Sequence, residues 1–238
     1  MSFLMSLMIS LASPQARASD VDSALGSLIY SAASDGGFSS LVYRARSGSV
    51  VRAFEDGLVF NYDDAFRESY LSFDNSYSVV HFSMSGELSG DGGTERLIHK
   101  MYLCAFVRMS DGCVVSVDVG EQCGGEWRGP KQWSSSLSST NKSLLATAPN
   151  IESIYKSYAS GRKDKSQVFS PKIHAYFLEG TTFDNVLACD PPSEANKMTY
   201  IDLLIQLQRD GDVNNFKKLR EVLGVSGLMD AGEVPAAF

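Results

Sequence analysis

The chain has no cluster of Lys and Arg, no CxxC pair, no GxSxG turn and only three histidines, and past residue 20 it has no apolar run long enough to span a bilayer. Each absence closes off a class of function. With 21 Lys and Arg against 28 Asp and Glu, the formal net charge is −7. A surface of that sign repels phosphate backbones and anionic lipid, so no nucleic-acid partner and no membrane insertion are expected. Structural zinc sites draw ligands from closely spaced cysteine pairs, and Cys104, Cys113, Cys123 and Cys189 supply none. A Ser–His or Cys–His hydrolase needs an imidazole held by a carboxylate beside its nucleophile. His81, His99 and His174 each fall in or beside a predicted strand, with no nucleophile elbow and no papain-like surround of a cysteine. They read as structural or surface side chains. No catalytic residue, metal or cofactor is assigned.

What is present is the composition of a folded protein. Apolar residues at 44% and charged residues at 21% match an ordinary globular chain. A length of 238 residues buries a core without crosslinks. The N-terminus stands apart. Residues 3–12 are uncharged and mostly apolar, Pro14 interrupts them, and Ala16-Arg17-Ala18 follows. A short apolar run before a small-x-small triplet is the pattern of a signal peptide, and it falls short of the about 20 residues that cross a bilayer. Residues 1–18 are therefore expected to be cleaved, leaving residues 19–238 as a single α+β domain in the periplasm or outside the cell. Losing Arg17 with the leader takes the charge from −7 to −8.

Periodicity divides the rest. Val21, Leu25, Leu28, Ile29 and Ala32 trace one helical face and predict a helix over residues 20–32, stopped by Gly36-Gly37. From Leu41 the period becomes two, with Leu41, Tyr43 and Ala45 alternating with Val42, Arg44 and Arg46, and turns at Ser47-Gly48 and Asp56-Gly57. That predicts an antiparallel β-meander. Residues 63–70 read as a short helix, 77–84 as a strand and 86–93 as a polar, Gly-rich loop. Residues 97–109 are apolar on both alternating sets, as a strand buried on both faces is. Asp111-Gly112 turns the chain onto residues 113–119. Residues 120–140 show no period and read as a long loop. Helices follow at 151–158, at 198–208 and from Asp212, with a strand near residues 173–178. The fold class is α+β: an antiparallel β-meander sheet in the first half packed against helices mostly from the second.

In an exported chain four cysteines invite disulfides. If Asp111-Gly112 is a two-residue turn, Cys104 lies opposite Val119, about 16 Å along the ladder from Cys113. A disulfide needs Cα atoms within about 7 Å, so Cys104–Cys113 is excluded. Cys123 and Cys189, both in turn-rich segments, are the predicted pair, and Cys104 reads as a small core hydrophobe. Residues 210–221 partly match a calcium loop, but Asn215 stands where glycine is required, and an αα-hairpin capped by Asp212 fits the same residues.

Both tryptophans lie in residues 123–133, with Arg128 and Lys131 between them. Trp and Arg dominate interface hot spots, so Trp127, Arg128, Lys131 and Trp133 are the predicted partner-binding residues. The competing reading folds the tryptophans back onto the sheet. The function expected is an exported, non-catalytic binding or inhibitory protein acting on a protein or polysaccharide partner. The alternatives are a secreted hydrolase of polysaccharide or peptide, with Asp63, Asp64, Glu68, Glu121 or Glu126 as carboxylates, and a structural envelope component.

Overall fold

A computed structural model describes residues 18–32, 37–48, 50–54, 58–89, 96–135, 141–146, 148–160, 168–169 and 181–228. The predicted leader, apart from Ala18, and the strand near 173–178 lie outside these residues. Strands β1 (Ala18–Asp22), β2 (Gly26–Ala32), β3 (Phe38–Ala45) and β4 (Val50–Ala53) form one antiparallel meander. Strands β5 (Val59–Asn61), β6 (Tyr77–Ser89), β7 (Arg96–Arg108) and β8 (Val114–Val119) form a second. Among the described residues a single pair, Phe38 opposite Phe60, joins the two into one eight-stranded sheet.

That narrow join lets the sheet fold over on itself. In a flat sheet β3 and β7 would stand three strand spacings, about 14 Å, apart. Yet the Tyr43 hydroxyl on β3 donates to the carbonyl of Met109, just past β7, at 2.9 Å. The two meanders therefore face each other across a core that includes Leu28, Tyr30, Leu41, Phe60, Phe82 and Leu103, all buried. Gly112 is required at this contact, because a Cβ there would lie 2.5 Å from the Tyr43 ring and the backbone sits at φ +72°.

The predicted helix over residues 20–32 is instead the β1–β2 hairpin. Val21, Leu28 and Tyr30 point inward, while Leu25 stands 40% exposed at the turn. The Ser23 hydroxyl accepts from the Leu25 and Gly26 amides and shapes that turn. A stretch this short satisfies both periods, and pairing with β3 decides between them. The predicted loop at 86–93 is corrected in part, since Gly86–Ser89 continue β6. Residues 64–70 form a 3-10 helix capped by Asp63.

Residues 120–135 are not a loop. A 3-10 turn (Gly120–Cys123) leads into β9 (Gly125–Gly129) and β10 (Gln132–Ser135), which with β11 (Asn141–Ser143) make a small second sheet. Trp127 and Trp133 meet edge to face at 5.2 Å, and both rings pack on Phe106 of β7. Cys104 and Phe106 point toward this layer and Leu103, Ala105 and Val107 away from it, which accounts for the doubly buried pattern of β7.

Four helices follow among the described residues: α1 (Ile151–Ala159), α2 (Phe183–Cys189), α3 (Lys197–Asp210) and α4 (Val213–Val225). They bury a second apolar cluster that includes Ile151, Phe183, Tyr200, Leu204, Phe216 and Leu219. The α+β class is as expected. The face of α3 is not: Met198 is 67% exposed, and Tyr200, Leu203, Leu204 and Leu207 are buried instead. Residues 210–213 form the αα-hairpin, with Gly211 at φ +72° closing α3 and the Asp212 carboxylate accepting from the Asn215 amide at 3.2 Å. Among the described residues no helix is long and apolar enough to cross a membrane.

Candidate functional site

The two apolar clusters meet at helix α2, and the seam there is polar and covalent. The disulfides are Cys104–Cys123 and Cys113–Cys189. The predicted Cys123–Cys189 pair is thus overturned, as is the reading of Cys104 as a free core hydrophobe, while Cys104 and Cys113 are indeed not bonded to each other. A bulge between Phe106 and Val107 places Cys104 opposite Asp118. The 3-10 turn then curls Cys123 back over β7. Cys189 ends helix α2 rather than sitting in a turn, and reaches Cys113 just before β8. With all four cysteines joined, the chain is suited to an oxidising compartment.

Asn185, on α2, is fully buried and supplies the centre of the seam. Its Oδ1 accepts from the Val114 amide at 2.8 Å, and its Nδ2 donates to the Val114 carbonyl at 2.9 Å. A primary amide carries a donor and an acceptor side by side, as a neighbouring strand does. Asn185 thus stands in for the next strand at the edge of β8, leaving that edge without free backbone groups at Val114. Nδ2 also donates to Thr181, and Oδ1 accepts from Arg52 of β4. Arg52 is itself buried, donates to the Gly112 carbonyl at 3.0 Å and lies over the Phe54 ring. Arg108 adds a bond from Nη2 to the Cys189 carbonyl at 3.0 Å. Leaving any of these buried groups unpaired would cost roughly 1–3 kcal/mol each, so the seam is held to one arrangement.

Beside it lie two adjoining depressions. One, of about 490 Å³, is bordered by Arg52 and Ala53 of β4, Leu187 and Ala188 of α2, and Val222 of α4. The other, of about 450 Å³, is bordered by Phe169, Thr182 and Phe183 and by Asp212 and Asn215 at the start of α4. Asp184 and Lys218, which form an ion pair, border both. Both volumes fall in the range of ligand sites, roughly 300–1,000 Å³, and junctions between packed units are where such sites concentrate. The ion pair is about half exposed on each side, so it is a weak latch between the two depressions rather than a structural tie.

The predicted binding residues fare differently. Trp127 and Trp133 are 5% and 2% exposed, and their ring N–H groups donate to the carbonyls of Tyr70 and Gln122. They close the core over β7 and present no face to a partner, which removes the reason for assigning them to binding. Arg128 is exposed and pairs with Glu126 two residues away. Lys131 sits at the turn between β9 and β10. None of the four borders the seam.

The predicted carboxylates are dispersed as well. Asp63 caps the 3-10 helix, accepting from the Ala65 amide at 2.9 Å, and Glu126 is held by Arg128. His81 packs edge-on to Tyr70 at 5.8 Å, and burial lowers its pKa and keeps it neutral. His174 lies outside the described residues. Sequence reasoning missed Asn185, Arg52 and the groove, because an asparagine inside a short helix carries no signal until the edge strand it pairs with is known. Compared with protein-family models, curated proteins and solved structures, the chain matches none.

Proposed function

We propose that the protein is an exported, non-catalytic binding or inhibitory protein, working in the periplasm or outside the cell, that receives a protein partner in the groove between β4 and helices α2 and α4. The observation that carries this reading is the groove's fixed geometry. Its β4 wall is held by Arg52 and its α2 wall by Asn185 and the Cys113–Cys189 bond. A concave surface already locked in place binds without the cost of ordering it. The lining favours a protein over a polysaccharide. Leu187, Ala188 and Val222 offer aliphatic contact at the larger depression, and the two tryptophans, whose faces would suit sugar rings, are buried.

The test is a paired capture. The immobilised protein and its Leu187→Arg variant are each exposed to the extracytoplasmic fraction of the source cells. Leu187 is only partly buried at the groove lining, so the variant should keep its melting temperature while placing a charge where a partner side chain would dock. A partner held by the native protein and lost at least about tenfold in the variant, a change of about 1.4 kcal/mol, supports the groove. Equal retention by both would put binding elsewhere.

A further inference from the structure

Resting on that reading of the groove, we infer that the partner enters as an extended peptide that adds a strand to the free edge of β4. The backbone pattern of β4 specifies this occupant. Phe54 donates its amide to the Leu41 carbonyl at 2.8 Å, so Leu41 turns its backbone groups toward β4. In an antiparallel ladder that orientation alternates from residue to residue. Tyr43, opposite Arg52, then faces β4 as well, while Val42, opposite Ala53, faces away toward β2. Ala53 consequently directs both its N–H and its C=O outward, away from β3. Among the described residues nothing pairs with them, and Ala53 is exposed at the border of the larger depression.

The contrast with β8 makes this edge informative. At Val114 the sheet edge is closed by the Asn185 amide. At Ala53 no described residue closes it, beside a wall of Leu187 and Val222. Sheet proteins normally cover or blunt an unpaired edge, since it is a template for another chain. An outward N–H and C=O on one residue match the spacing of an incoming strand, which supplies a carbonyl and an amide in return. Its side chains then alternate, one set turned toward Leu187 and Val222 and the other toward solvent. The adjoining Asp184 and Lys218 give one acidic and one basic contact to whatever continues past the aliphatic wall.

The experiment selects linear peptides from a display library on the native protein and measures them against three variants. Ala53→Pro deletes the outward N–H, which pairs with nothing among the described residues, and proline is tolerated on a strand edge. Ala53→Ser keeps the N–H and serves as its control, and Leu187→Arg reports on the groove wall. Strand addition predicts peptides that bind at least about tenfold more weakly to Ala53→Pro but normally to Ala53→Ser. It also predicts slowed hydrogen exchange at the Ala53 amide on binding. Because backbone groups alternate, N-methylation along the peptide should abolish binding at every second residue only. Should Ala53→Pro fail to fold, the exchange and N-methyl measurements on the native protein decide alone. Peptides lost by Leu187→Arg but indifferent to N-methylation would overturn strand addition and keep the groove. Peptides indifferent to Leu187→Arg would overturn the groove. A library that yields no binder overturns strand addition.

Discussion

The central β7–β8 hairpin is flanked by two layers, each tied to it by one disulfide, and the two are built on opposite chemistry. On one flank the small β9–β11 sheet closes over Phe106 with two interlocked tryptophans, and Cys104–Cys123 lies within this same apolar contact. On the other, helix α2 meets β8 through Asn185, Arg52 and Arg108, and Cys113–Cys189 ties the end of α2 to the sheet's own apolar cluster. The first flank is dominated by apolar burial. The second trades apolar area for directed hydrogen bonds, which fix geometry but contribute only about 0.5–1.5 kcal/mol each. A groove flanked by the second therefore has precise walls and a covalent tie behind them.

The largest effect expected from this contrast is on the apolar flank. Trp127→Ala removes a buried ring that packs on both Phe106 and Trp133, and large aromatic truncations of this kind cost about 3–5 kcal/mol. Chemical denaturation should show that loss. A loss below about 1 kcal/mol would mean that Trp127 is a surface ring after all and would restore residues 123–133 as a binding element.

On the polar flank, replacing Cys113 and Cys189 together by serine opens a crosslink spanning 76 residues. Chain entropy assigns such a crosslink up to about 4.5 kcal/mol, against about 3 kcal/mol for the 19-residue span of Cys104–Cys123. The comparison is sharpened by where the probes sit. Both tryptophans of the chain report on the β half alone, whereas far-ultraviolet circular dichroism is dominated by the helices. In the double-serine variant the helical signal should melt first and the tryptophan signal later. Coincident transitions would show that the seam couples the halves without its disulfide.

What the sequence reveals about this contrast is uneven, for physical reasons. The β6–β7–β8 run is legible because its strands are long and apolar. The chain turns over residues 109–112 rather than over Asp111-Gly112 alone, a shift of two, and the Phe106/Val107 bulge takes one back, so Cys104 lies opposite Asp118 instead of Val119. With Cys104 opposite residue 118 or 119, a single turn after β8 suffices to return Cys123 to it, so that pairing was within reach. The strands of four and five residues around the tryptophans are too short to show a period, and their Gly and Pro residues imitate a loop. The spacing locates helix α3 but rotates its buried face, since Met198 and Ile201 are as apolar as Leu203 and Leu207. Tyr200 turns inward because its hydroxyl finds the Asp190 carbonyl there. The seam was illegible: Asn185 acquires its role from Val114, 71 positions away.

The smallest effect expected lies at His81 on β6, and it tests whether the sheet itself is sensitive to acid. His81 pairs across the ladder with Cys104 and packs edge-on to Tyr70. Burial is the cause of its lowered pKa, because taking the imidazolium out of water disfavours the charged form. The unfolded chain titrates near the ordinary value of about 6.5. Below that pH the unfolded state takes up a proton that the folded state refuses, so the stability conferred by the neutral ring is intact above about pH 6.5 and is lost as the pH falls toward the folded pKa. Between about pH 7.5 and about pH 5 the melting temperature of the native protein should therefore drop relative to that of His81→Phe, which keeps a ring against Tyr70 and cannot titrate. Parallel pH profiles for the two proteins would show that His81 is wet enough to charge in place. The face of β6 beside the Cys104–Cys123 bond would then be no drier than the seam.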